Sequence, residues 1–188
     1  MEPLLSVALG IGLATAAGLR VFVPVFGAGL AAHLGVLDLH DSFRWLAEPA
    51  ALFAFGTATV LEVVAYYVPW LDHALDVIAT PTAVGAGMVA SAAVMVDLPP
   101  VLRWAVAIIG GGGAAGLVQA LTVGARVKST VTTGGLANPV LATVETVGAV
   151  GLVGLAILVP LVAAVFVVGS MYGAYRWVGR LSGRAARS

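Results

Sequence analysis

The sequence predicts an all-α fold, a polytopic transmembrane helix bundle of about seven spans with two internally related halves. Three observations carry this. Of 188 residues, 61% are hydrophobic and 10% charged, against roughly 45–50% apolar and about 25% charged in a soluble domain. Seven apolar stretches approach the length of a bilayer span. Two short segments of the chain also resemble each other.

The stretches are Pro3–Ala17, Val21–Gly35, Ala47–Val68, Asp76–Val96, Pro100–Val123, Pro139–Leu158 and Pro160–Trp177. Gly18-Leu19-Arg20 separates the first two, which are short, so six spans plus a re-entrant pair is the alternative reading. The last two form one apolar run cut at Pro160, and about 39 residues at 1.5 Å each nearly match two hydrocarbon thicknesses.

Lysine and arginine tend to stay on the cytoplasmic side. The tail carries Arg176, Arg180, Arg184 and Arg187 with no acid, which predicts a cytoplasmic C-terminus. Counting back places Arg20, Asp72, Asp76 and a loop holding Arg126 and Lys128 on the same side. The acidic loop Asp38–Glu48 and the turn Asp97–Pro100 fall outside. Trp45, Trp70, Trp104 and Trp177 all lie near span ends, as an interfacial belt requires. The start Met1-Glu2-Pro3 lacks the positive charge of a signal peptide, so the first stretch reads as a retained span.

Gly18–Ala31 and Gly124–Ala137 share seven of 14 positions, and Val77–Gly87 and Val140–Val150 share six of 11. The reading that follows is one integral membrane domain, with a first half at 1–97 containing an inserted hairpin, a second half at 98–179 and a basic tail at 180–188. Whether the halves run parallel or inverted depends on the span count. Repeats of either kind build many transporters, with the substrate site between them.

Several function classes are excluded. There is no cysteine, and nine basic residues balance nine acidic ones. Thiolate chemistry and cysteine-held metals are therefore impossible, and no basic surplus addresses nucleic acid. The run Gly110–Gly113 with Gly116 lacks a following Gly-Lys-Ser/Thr, so it reads as close helix packing, like Gly148, Gly151 and Gly154. His40 beside Asp38 and Asp41 reads as solvated loop. No cofactor, metal site or catalytic constellation is expected.

Charges at membrane depth cost about 2.5–3.5 kcal/mol each on insertion scales, so those that remain face the interior and pair. The candidate binding residues are Arg20, Arg126, Glu62, Glu145, Asn138, Asp72 and Asp76, gathered at the cytoplasmic half. Arg20 and Arg126 would hold a small anion or the headgroup of an anionic lipid. Glu62 and Glu145 would be counter-ions or proton-coupling carboxylates, and Asn138-Pro139 would start a helix aimed at the anion. Plainer readings exist for each. The basic residues equally suit anchors reaching headgroups, Asp72 and Asp76 suit a helix cap, and Thr130, Thr132 and Thr133 suit loop backbone.

The segments Ala17-Gly18-Leu19-Arg20, Leu61-Glu62 to Asp72-His73, and Thr133-Gly134-Gly135-Leu136-Ala137-Asn138-Pro139-Val140 followed by Glu145, with the basic tail, form a further pattern. It resembles the bacterial integral membrane proteins catalogued as domain of unknown function 4126. The resemblance covers nearly the whole chain and implies a bacterial inner-membrane location. It lends no mechanism. The expectation is therefore a small transporter or lipid-translocating protein with a cytoplasm-facing site for an anionic substrate and membrane lipids as partners. A structural or assembly protein is the alternative, and an enzyme acting on lipid phosphates through Asp72 and Asp76 the lesser one. Oligomeric state is not legible.

Overall fold

The structure, a computed structural model, describes residues 2–68 and 71–185, and the side chains of these except 72–74, 170, 171, 174, 175 and 177–185. Among the described residues every regular element is helical. Helices α1 (Pro3–Ala17) and α2 (Phe22–His33) are followed by a short 3-10 segment, Asp41–Ala47. Next come α3 (Pro49–Ala65), α4 (Leu71–Val94) and α5 (Pro100–Val106). A π-helical turn, Ala107–Gly112, joins α5 to α6 (Gly113–Thr133), and α7 (Asn138–Leu158) and α8 (Pro160–Ala185) complete the chain.

Proline opens several of these helices. Pro3, Pro49 and Pro100 stand at the first position, where the missing N–H costs nothing and φ is already helical. Pro139 takes the next position of α7, and Pro160 begins α8.

Among the described residues three helices are long and apolar enough to cross a membrane: Leu75–Val94, Pro100–Thr133 and Asn138–Leu158. The 3-10 segment and α3 pass the same test as a pair bent by 67°. Helices α1 and α2, at 15 and 12 residues, are shorter, and of α8 the apolar stretch fully described is Pro160–Gly169. The expected stretches thus reappear as helices, but those of full spanning length are fewer than seven.

One boundary differs in a way that matters. The fifth stretch was expected to stop at Val123 before a loop holding Arg126 and Lys128. The helix instead runs 34 residues, from Pro100 to Thr133. Nothing between Gly124 and Thr133 breaks it. Thr130, Thr132 and Thr133 turn their hydroxyls onto the carbonyls of Arg126, Lys128 and Ser129 one turn back. They serve helix backbone, and Thr133 Oγ1 also accepts from the Ala137 N–H of the loop at 3.3 Å, as expected of it. The stop comes at Gly134 and Gly135, with φ of 64° and 86°, a conformation glycine adopts without steric penalty.

Helix α1 is central, packing on α4, α6, α7, α8 and the π turn. Small residues permit the approach. A Cβ on Gly111 of the π turn would lie 2.7 Å from Ser91 Cβ and 2.9 Å from the Gly87 carbonyl oxygen. A Cβ on Gly18 would lie 2.5 Å from the Ala115 carbonyl, so the α1–α2 turn docks on α6 only as glycine. The glycines expected to pack on α7 differ among themselves. Gly148 meets Leu19 at 3.4 Å, whereas Gly151 and Gly154 face open space. Helix α3 lies at the margin, and Glu62 is its one buried residue.

Candidate functional site

Five elements converge at one end of the bundle. The α1–α2 turn brings Arg20, the end of α3 brings Glu62 and Tyr66, and α4 brings Asp76. Helices α6 and α7 bring Arg126 and Glu145. Arg126 arrives because α6 continues past Val123. On a loop its direction would be open, but on the helix it faces inward.

Glu145 is the hub. Its Oε2 accepts from Arg20 Nη1 at 2.8 Å and also from Arg126 Nη2. The two arginines at matching positions of the similar segments therefore meet on one carboxylate oxygen. Arg20 is 1% exposed. Its Nε donates to Thr146 Oγ1 at 3.0 Å and its Nη2 to the Ala142 carbonyl at 2.7 Å, while Nη1 also reaches the Leu19 carbonyl. Arg126 Nη1 donates to Asp76 Oδ1 at 2.7 Å, and the Tyr66 hydroxyl donates to the same oxygen at 3.2 Å.

The Tyr66 ring lies against both cations. The guanidinium carbons of Arg20 and Arg126 lie 4.4 and 3.9 Å from its ring centroid. At that range the ring quadrupole attracts both, by ~2 kcal/mol or more when desolvated. Sequence reasoning passed over Tyr66 and Thr146. The signal for Tyr66 was its place four residues after Glu62, on the same helix face.

Glu62 plays a different part. Its Oε1 accepts from the Val21 N–H at 2.7 Å and its Oε2 from the Phe22 N–H at 3.1 Å. These N–H groups begin α2 and have no partner within the helix. Glu62 thus caps α2 from α3, across the bundle, and ties a marginal helix to the core.

Asn138 is buried at the start of α7 and donates to Thr130 Oγ1 at 3.3 Å, joining α7 to α6 above the network. Lys128 is exposed. Asp72 belongs to α4, but its side chain lies outside the described residues, as do Trp70 and the side chain of Trp177. Among the described residues no group of three His, Asp or Glu converges as a metal site. At the opposite end His40 Nδ1 accepts from the Ser42 N–H, and Asp41 pairs with Arg44 at 2.9 Å in solvent.

Two apolar grooves flank the network. One, of about 330 Å³, lies between α2, α3 and α4 and includes Glu62, Tyr66, Phe22 and Ile78 in its lining. The other, of about 450 Å³, lies between α1, α6, α7 and α8 and includes Glu145, Leu19, Val118 and Phe166.

An all-helical chain of membrane-spanning apolarity, closed at one end by a buried ionic network, is the class that fold and site define. The chain belongs to the family described as domain of unknown function (DUF4126), which matches residues 7–180. No curated protein and no solved structure matches it.

Proposed function

We propose that the chain is a small transporter or lipid-translocating protein of the bacterial inner membrane, with the network end facing the cytoplasm. One observation supports it most. Arg20 and Arg126 are drawn together on a single carboxylate oxygen of Glu145. In this reading Glu145 is an internal surrogate for an anionic substrate. A phosphate or carboxylate oxygen from outside would take its place, with Asp76 holding Arg126 in position meanwhile. The grooves at Glu62 and Glu145 would give acyl chains lateral access to the site. Economy supports the same reading. A buried ion pair is often no better for stability than apolar residues of equal volume, so stability alone gives little reason for five charged groups there.

The test is reconstitution in liposomes with a panel of small anions and a fluorescent anionic phospholipid. The reading expects at least one to cross faster than in protein-free vesicles. Glu145→Gln, which weakens the surrogate, should change that rate. No acceleration for any of them overturns the reading.

A second reading is a structural or assembly protein without transport. It draws on the completeness of the Arg20 shell, in which every side-chain nitrogen has an acceptor. Recovery of one stoichiometric membrane partner, with no flux, would favour it.

A further inference from the structure

Glu62 is the carboxylate of the network with no guanidinium partner. Glu145 has both arginines, and Asp76 has Arg126 and the Tyr66 hydroxyl. Glu62 has only the two N–H groups of the α2 start. The described network holds three carboxylates against two guanidiniums. With the arginines already matched by Glu145 and Asp76, the surplus negative charge falls on Glu62. That residue also lines an apolar groove, where an uncompensated charge is expensive. Among the described residues the charged and titratable groups around it are Arg20 of the α1–α2 turn, Tyr66 at the end of α3, Asp76 of α4, Arg126 of α6 and Glu145 of α7. Helix α2 contributes backbone N–H groups.

We infer that Glu62 is a proton-binding site, and that its proton sets the hold of α3 on α2. As a carboxylate it accepts through both oxygens and locks α3 to the α2 start. On taking a proton from water at the network end, one oxygen becomes a hydroxyl and a poorer acceptor. One of the two N–H bonds is then lost. Between Pro49 and Ala65 helix α3 buries no other residue, so it is freed to pivot about the buried Tyr66 at its end and widen the groove it lines. Release of the proton restores the lock. The site rests on this geometry alone, and only its role as coupling ion rests on the transport reading above.

Dicyclohexylcarbodiimide tests it. The reagent is apolar and attacks the protonated carboxyl. Its central carbon bonds to a carboxyl oxygen, and the acid proton passes to a carbodiimide nitrogen. Purified protein in detergent is labelled from acidic to alkaline pH, digested, and mapped by mass spectrometry. Label is expected at Glu62 in preference to Glu145 and Asp76, falling about tenfold per pH unit on the alkaline side of the titration. It should vanish in Glu62→Gln, whose amide still accepts one N–H. Absence of label at Glu62, equal labelling of all three carboxylates, or a rate independent of pH overturns the inference. Labelling as expected without flux in liposomes leaves the proton site standing and counts against transport. Flux without labelling does the reverse.

Discussion

Two regions of the bundle join helices by opposite means. Midway along the bundle, α1, α4 and the π turn meet through Gly10, Gly87, Ser91 and Gly111, with the closest hypothetical Cβ contacts below 3 Å. At the network end, the α1–α2 turn, α4, α6 and α7 meet through Arg20, Asp76, Arg126 and Glu145. In a bilayer, association is driven by such close packing and not by apolar burial, because lipid is as apolar as leucine. The glycine seam is therefore sufficient to hold the helices. The network adds little net stability for its desolvation cost, yet it is unforgiving once present. The lesson is that a region can be sensitive to mutation without being what the fold depends on.

Mutations separate the two. The largest loss is expected from Glu145→Ala, which leaves buried Arg20 without a carboxylate and Arg126 with Asp76 alone, and should cost about 3–5 kcal/mol, read as a fall in melting temperature in detergent. Gly111→Leu comes next. It forces a side chain against Ser91 and the Gly87 backbone, and overpacking of this kind costs about 1–3 kcal/mol. If it proves harmless, the seam does not carry the assembly and the comparison fails. Tyr66→Leu should remove ~2 kcal/mol of cation–π attraction, whereas Tyr66→Phe loses only the Asp76 bond, about 0.5–1.5 kcal/mol. Their difference in a thermal or denaturant series isolates the ring. Gly151→Ala, facing open space, should stay within about 0.5 kcal/mol of the parent or exceed it.

The charged half of the site was legible because charge at membrane depth is rare enough to stand out, and the matching Gly-x-Arg-Val segments pointed to Arg20 and Arg126. Tyr66 was not, because an aromatic near a span end already has an explanation as an interfacial anchor. The helical course of Arg126 was missed for a related reason. An apolar run ends at Val123, but helix continuation depends on breakers, and the first one is Gly134. The glycine cluster at 110–113 foretold close packing at Gly111 and Gly112. Its π turn was invisible, since glycine content does not distinguish i→i+4 from i→i+5 bonding. The cap that Glu62 places on α2 is a tertiary contact between residues 41 apart, and no local pattern encodes it.

The central claim is that the network serves function while the seam holds the fold. The direct measurement is flux in liposomes through a variant in which the four paired charges become apolar: Arg20→Met, Asp76→Leu, Arg126→Met and Glu145→Leu. All four change together, so neither arginine nor either of its carboxylates is left without its partner, and Glu62 keeps its two backbone N–H donors. The account predicts a folded protein with a melting temperature near the parent's and flux at the protein-free level. Parental flux through that variant would contradict it.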